Sequence, residues 1–288
     1  MPTGTATNRS NIELPNDVSA EIIQKTQEGS AVMQLARQIA LPGRGLQIPV
    51  ITGDPEAAWV NETAAKPVSN PGLSKKIMQA YKLAVIVPFS KEFMRDIPAL
   101  YDALVQRLPL ALAAKFDSTV FFGAAPGDNF DTFAACTAQS ISGTATYTGL
   151  VAADTDIATH GGIANGYVIS PQGKGILLSA LDENKRPLFI NSVAEGAIPM
   201  ILGSRALVRK AAYKAGTPNV VGVVGDWTQA MYGTVEGVEI TVSEEATLMS
   251  GNTPIYLFQQ NMFAVRAEIE VGFVADTTVF NKLTAAAS

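Results

Sequence analysis

Few side chains in this sequence have the types and spacing that chemistry requires. His160, in THGG, is the single histidine, and Cys136, in AACTA, is the single cysteine. A Ser-His-Asp triad or a histidine-rich metal site needs more partners than this, so His160 reads as a loop or helix-end residue. Cys136 has no second cysteine to bridge and no base nearby in sequence, and reads as a small buried residue. In PGDNFDT, Asp128, Asn129 and Asp131 resemble a calcium loop superficially. The D-x-[DN]-x-[DN]-G order and the closing glutamate are missing, so a polar turn fits better. GVVGDWTQAMYG contains neither G-x-G-x-x-G nor a phosphate loop, and no G-x-S-x-G occurs.

Paired carboxylates occur twice, at Glu244 with Glu245 and at Glu268 with Glu270, the latter beside Arg266. A glycosidase would hold such a pair across a cleft. Here strand alternation puts Arg266, Glu268 and Glu270 on a solvent or interface face, where ion pairing is the ordinary reading. In AAWVNETAAKP, Trp59 is flanked by Glu62 and Lys66. That reads either as a contact surface, since tryptophan is enriched at interface hot spots, or as Trp59 packing on its own hairpin. No catalytic, cofactor or metal site is expected. The candidate inter-subunit contacts are Trp59, Glu62, Lys66, Arg266, Glu268 and Glu270.

The totals narrow the function classes. Lys and Arg number 21 against 26 Asp and Glu, a net charge of −5, which disfavours a tight nucleic-acid binder. Charged residues make up 16%, against about 25% in an ordinary soluble domain. The deficit suggests surface buried against other subunits; an Ala/Val-rich core is the plainer account. No apolar run reaches the ~18–20 residues of a membrane helix, and MPTGTATNRSNIELPND has no apolar signal region.

The positioning elements follow from periodicity and breakers. Residues 1–18 read as a flexible arm. DVSAEIIQKTQEGS reads as a short helix capped by Asp17 or Ser19 and ended by Gly29, while AVMQLARQIAL is ambiguous between strand and helix. GLQIPVI is a strand. Ile77, Gln79, Tyr81, Leu83, Val85 and Val87 alternate with Lys76, Met78, Ala80, Lys82, Ala84 and Ile86, giving a long hairpin over 46–88 with an irregular tip. A long helix follows, with Ser90 as a candidate cap and Phe93, Ile97, Leu104, Leu108, Leu112, Phe116 and Val120 at helical spacing. Pro98 is expected in its first turn, with Asp96 or Ile97 capping, and Pro109 at a bend. Beyond Gly127, LVAADTDIATHGG and PQGKGILLSALDE read as helices. GYVIS, AIPMILGS and NVVGVVGDW read as strands, and RALVRKAAYKAG as a separator. The whole is mixed α/β. GVEITVSEE and QQNMFAVRAEIEVGF are strands, and NKLTAAAS is a short end piece.

This order resembles the major capsid proteins of tailed bacteriophages, the Hong Kong 97-type capsid fold. AAWVNETAAKPVSNPGLSKKIMQAYKLAVIVPFSKEFMRD is similar to that family's extended loop running into its long helix, and LAAKFDSTVFFGAAPG to the end of that helix. YVISPQGKGILLSALDENKRPLF is similar to the start of its axial domain. VVGVVGDWTQAMYG and LFQQNMFAVRAEIEVGFVADTTVFNKL are similar to its closing segments. The likeness covers residues 18 to 284.

The resemblance implies an α+β chain with an N-terminal arm (1–18), a first part of a peripheral domain (19–45), an extended β-hairpin loop (46–88), a spine helix (89–126), an axial α/β domain (127–232) and returning peripheral strands (233–288). It implies a non-enzymatic shell protein that forms hexamers and pentamers around double-stranded DNA in the virion, assembled in the host cytoplasm without cofactor or membrane. Its implied partners are a portal, decoration proteins and a scaffolding protein; the start at Met1 favours a separate scaffold over one cut off. An encapsulin-like shell around enzyme cargo is the alternative. Some members form an isopeptide bond between subunits, for which Lys66, Lys75 or Lys76 and Asn281 are the positions to examine.

Overall fold

The computed structural model describes residues 26–43, 46–51, 73–91, 97–182, 184, 186–189, 200–235, 238–251 and 253–286. The alternation in the C-terminal part builds the longest strand, β14 (Met262–Ala275). One edge of β14 pairs antiparallel with β4 (Tyr81–Ser90), from Met262 opposite Ser90 to Val271 opposite Tyr81. The other edge takes β11 (Glu239–Ser243) and β10 (Ala230–Thr234), and β1 (Arg37–Ala40) adds in parallel to β10. Val235 donates to the Glu270 carbonyl at 3.3 Å, so β10 and β11 follow one another along β14.

The apolar side of this sheet needs a cover, and the helical spacing supplies it. Helix α2 (Ile97–Phe122) buries Leu108 and Leu112 against Phe263, Val265, Ala267 and Ile269, with Leu83, Val85 and Val87 packed alongside. Its 26 residues extend ~39 Å at 1.5 Å each. Pro98 is its second residue, where a missing N–H costs nothing, and Pro109 lies inside it. Phe116 and Val120 continue the buried stripe.

A second sheet runs β5 (Thr137–Ser140), β15 (Phe280–Ala285), β9 (Asn219–Gly225), β6 (Gly166–Ile169), β8 (Ser204–Val208) and β7 (Met200–Ile201). Helix α3 (Thr146–Thr159) covers β15 and β5, and α4 (Pro171–Ser179) packs on β6 and β9. Helix α4 starts as its sequence suggests, with Pro171 in the first turn and the Ser170 hydroxyl accepting from Gly173 N at 3.0 Å.

The two sheets share one continuous core. Its junction is aromatic. Phe133 stacks on Phe280 of β15 at 4.3 Å and meets Phe273 of β14 edge-on at 5.6 Å, while Trp227 stands edge-on to Phe280 at 5.3 Å. Such pairs add to simple area burial.

Several sequence expectations are corrected. The segment read as one alternating strand is two. It breaks at Gln79–Ala80, and the buried parity flips there: Met78 is fully buried while Ile77 is exposed. Strand β3 (Leu73–Met78) pairs with β2 (Leu46–Ile51), whereas β4 joins the five-stranded sheet. Ser90 is the last residue of β4, and α2 begins only at Ile97, so Ser90 is not the cap of that long helix. AVMQLARQIAL is both helix and strand, as α1 (Ala31–Leu35) and then β1. The presumed separator contains β8, and α4 stops at Ser179. The end piece is β15, paired with β9 and β5 in the second sheet, so it does not lie with the returning strands.

Candidate assembly surfaces

The polar face of β14 is built as its alternation requires. Arg266, Glu268 and Glu270 are half-buried between strands whose opposite face is core. Glu270 pairs with Lys82 of β4 at 3.4 Å, and Arg266 with Glu268 on its own strand at 3.5 Å. Glu268 sits directly opposite Glu239. Exposed pairs of this kind contribute about 0–1 kcal/mol. The carboxylates line a flat sheet, which gives a glycosidase no cleft.

Strands β2 and β3 form their own two-stranded sheet. Its base is fastened to the body. Lys76 Nζ lies 2.6 Å from Asp131 Oδ2 and donates to the Ala275 carbonyl at 2.6 Å, while Asp131 accepts from Ala275 N at 2.9 Å. Asp131 is therefore a structural anchor in the turn that looked like a calcium loop. The ribbon's connecting segment 52–72, with Trp59, Glu62 and Lys66, lies outside the described residues, as do arm residues 1–18 and positions 92–96 with Asp96.

Helix α2 carries two features that shape the subunit. Pro109 has no N–H to give, which leaves the Val105 carbonyl without its helical donor. One turn pair later, Asp117 is 1% exposed. Its carboxylate accepts from Ser30 Oγ at 2.5 Å, Ala31 N at 2.8 Å and Val32 N at 3.3 Å, so it caps α1 from another helix. Burial pushes its pKa up to about 6, against the opposing pull of those hydrogen bonds and of Arg209. Nothing local marks Asp117 in the sequence, because its partners lie more than eighty residues away. The other end of α2 is held by Lys214, which donates to the Phe122 carbonyl at 3.0 Å.

The remaining candidates are structural. His160 ends α3 with Nδ1 2.8 Å from the Asp156 carbonyl, and is exposed. Cys136 is buried, and burial pushes its thiol up to about 12, so it stays protonated and inert. Among the described residues, no group of three His, Cys, Asp or Glu side chains could hold a metal ion. Asn281 is fully buried and donates to the Ala153 carbonyl and to Asp156 Oδ2 at 2.9 Å. Lys76 is held by Asp131 and the Ala275 carbonyl, and Lys66 lies outside the described residues. Large apolar side chains are exposed in two places that sequence reasoning did not single out. They are Ile163, Met200 and Leu202 beside the β7–β8 turn, and Met249, Tyr256 and Phe258 around the hairpin of β12 (Thr247–Ser250) and β13 (Thr253–Tyr256).

Comparison with known proteins gives this architecture its context. The model of the phage capsid family matches residues 12–279. A protein of Mycobacterium phage L5 described as "Probable major capsid protein gp17" is 32% identical over 278 residues, 88% of this chain and 84% of its own length. A solved chain from Gordonia phage Cozz superposes with a TM-score of 0.71 at 21% identity, covering 90% of this chain and 87% of that one. The capsid of an empty GTA particle, computed with C5 symmetry, superposes with a TM-score of 0.67 at 15% identity, covering 100% of this chain and 95% of that one.

Proposed function

The chain belongs to the phage capsid family, in a structural and not an enzymatic role, and on that premise we propose that it closes, as hexamers and pentamers, into an icosahedral shell around phage double-stranded DNA. The observation that carries the reading is the β2–β3 ribbon. Among the described residues it pairs only within itself, and it is fastened to the body at its base through Lys76 and Asp131. A two-stranded ribbon is marginal alone in water, so it needs a surface to lie on, and a neighbouring subunit supplies one. The low charge fits a subunit with neighbours on most edges.

In this reading α2 is the spine, bent at Pro109, and the five-stranded sheet forms the peripheral domain. Residues 127–232 surround the local symmetry axis, and Arg266, Glu268 and Glu270 meet a neighbour. A net charge of −5 keeps the wall from gripping phosphates, so DNA is enclosed without sequence-specific binding. A scaffolding protein, a portal and decoration proteins complete the particle, which assembles in the host cytoplasm. Negative-stain microscopy and size-exclusion chromatography of the purified chain test this. Rings or closed particles are expected. Particles filled with enzyme cargo would move the reading to an encapsulin-like compartment, and a monomer at every concentration would end it.

A further inference from the structure

A cleft of about 200 Å³ opens between the start of β4, the C-terminal half of α2 and the loop after it. Its floor is apolar, with Leu83, Phe116 and Phe130, and two lysines, Lys82 and Lys115, stand among its lining residues. The walls are set in advance. Phe116 and Phe130 meet edge-on at 6.3 Å, and the Tyr81 hydroxyl is fixed by Asn129 N at 3.3 Å. The volume is below the ~300–1,000 Å³ of small-molecule sites. An apolar cavity of ~150 Å³ takes a benzene ring, so this one suits a single larger aromatic side chain. Charge adds a second requirement: carboxylates close to that aromatic, to meet Lys115 and the exposed Lys82, whose intrachain partner Glu270 is 3.4 Å away.

The sequence offers one tryptophan that fits. Trp227 is buried. Trp59 has Glu56 three residues before it and Glu62 three after it, in a segment 52–72 of net charge −2 from Asp54, Glu56, Glu62 and Lys66. We propose that Trp59 of a second copy of this chain docks in the cleft, with Glu56 and Glu62 meeting Lys82 and Lys115. A second copy is favoured because β2 and β3, which flank the segment carrying Trp59, form a two-stranded sheet of their own, and such a ribbon needs another surface to lie on. The proposal rests on the shell reading and adds its anchor.

The test places photo-reactive benzoyl-phenylalanine at position 59, which keeps an aromatic there, and irradiates assembled particles. Dimers and higher oligomers on a denaturing gel are expected, with the cross-linked peptide mapping to 81–83, 115–119 or 124–130. A cross-link within one chain, or to another region, in particles that form normally overturns the docking and leaves the shell reading standing. Absence of particles from the unmodified chain would instead defeat the shell reading, and the docking with it. As a second measurement, Trp59→Ala should raise the subunit concentration needed for assembly about tenfold or more, the effect of losing a hot spot. The paired reversal Lys82→Glu with Lys115→Glu should do the same and be rescued by Glu56→Lys with Glu62→Lys; failure of that rescue counts against the pairing.

Discussion

Replacing Asp117 by alanine removes one carboxylate and strands three donors. Ser30 Oγ, Ala31 N and Val32 N all end on it, and Ser30, Ala31 and Val32 are themselves fully buried. Each buried donor left without a partner costs about 1–3 kcal/mol. Against that, the carboxylate's own burial is unfavourable. Its pKa is raised from 3.8 to about 6, which corresponds to about 3 kcal/mol at neutral pH. Three donors at the middle value of about 2 kcal/mol each, less about 3 kcal/mol, give a net loss of about 3 kcal/mol near pH 7.5 for Asp117→Ala. The sign of the pH effect is distinctive. The folded pKa lies above the unfolded one, so the group's contribution is complete below the unfolded pKa and is lost as pH rises through the folded pKa. The gap between wild type and variant should therefore widen by about 2 kcal/mol as pH falls from about 6 to about 4. Denaturant titration of unassembled subunits at the two ends of that window measures it. A loss under about 1 kcal/mol near neutrality, or a gap that shrinks on acidification, would refute the reasoning.

Three further outcomes follow from the same structure. Pro109→Ala restores a donor to the Val105 carbonyl and should stabilise the subunit by up to about 3 kcal/mol in thermal or chemical unfolding. It should also lower the yield of closed particles, because the spine loses its bend; unchanged particles would show that the proline has no shaping role. Cys136 should resist a thiol reagent in the native subunit and react at once after denaturation, as expected for a buried thiol; fast native labelling would contradict its placement. Deleting Asp54 to Gly72 should leave unfolding nearly unchanged, since the described core clusters are built from other residues, and should prevent shell closure, with particle counts by microscopy as the readout.

The sequence made long periodic features legible. The alternation of Phe263 through Phe273 and the spacing of Leu108, Leu112, Phe116 and Val120 each repeat one signal several times, and both recur as core. Ser90 looks like the cap of the long helix because it is a polar residue ahead of a helical pattern, yet it ends β4 opposite Met262 and α2 starts at Ile97. SRALV was passed over because five residues amid alanine and lysine carry too little periodicity, and only pairing with β6 makes them a strand. The cap by Asp117, the Lys76–Asp131 anchor and the junction of Phe133, Phe273 and Phe280 join residues far apart in the chain, so no local pattern could announce them. The polar face of β14 was readable; the exposed Phe258 and the cleft beside Phe116 needed the fold.

The central claim is that this subunit completes itself only by covering its neighbours. Electron microscopy of particles formed by the chain tests that most directly. Closed icosahedral shells, with density for one subunit's β2–β3 ribbon lying across the next, are the predicted result. Shells in which every ribbon folds back onto its own subunit, or no shells at all, would contradict it.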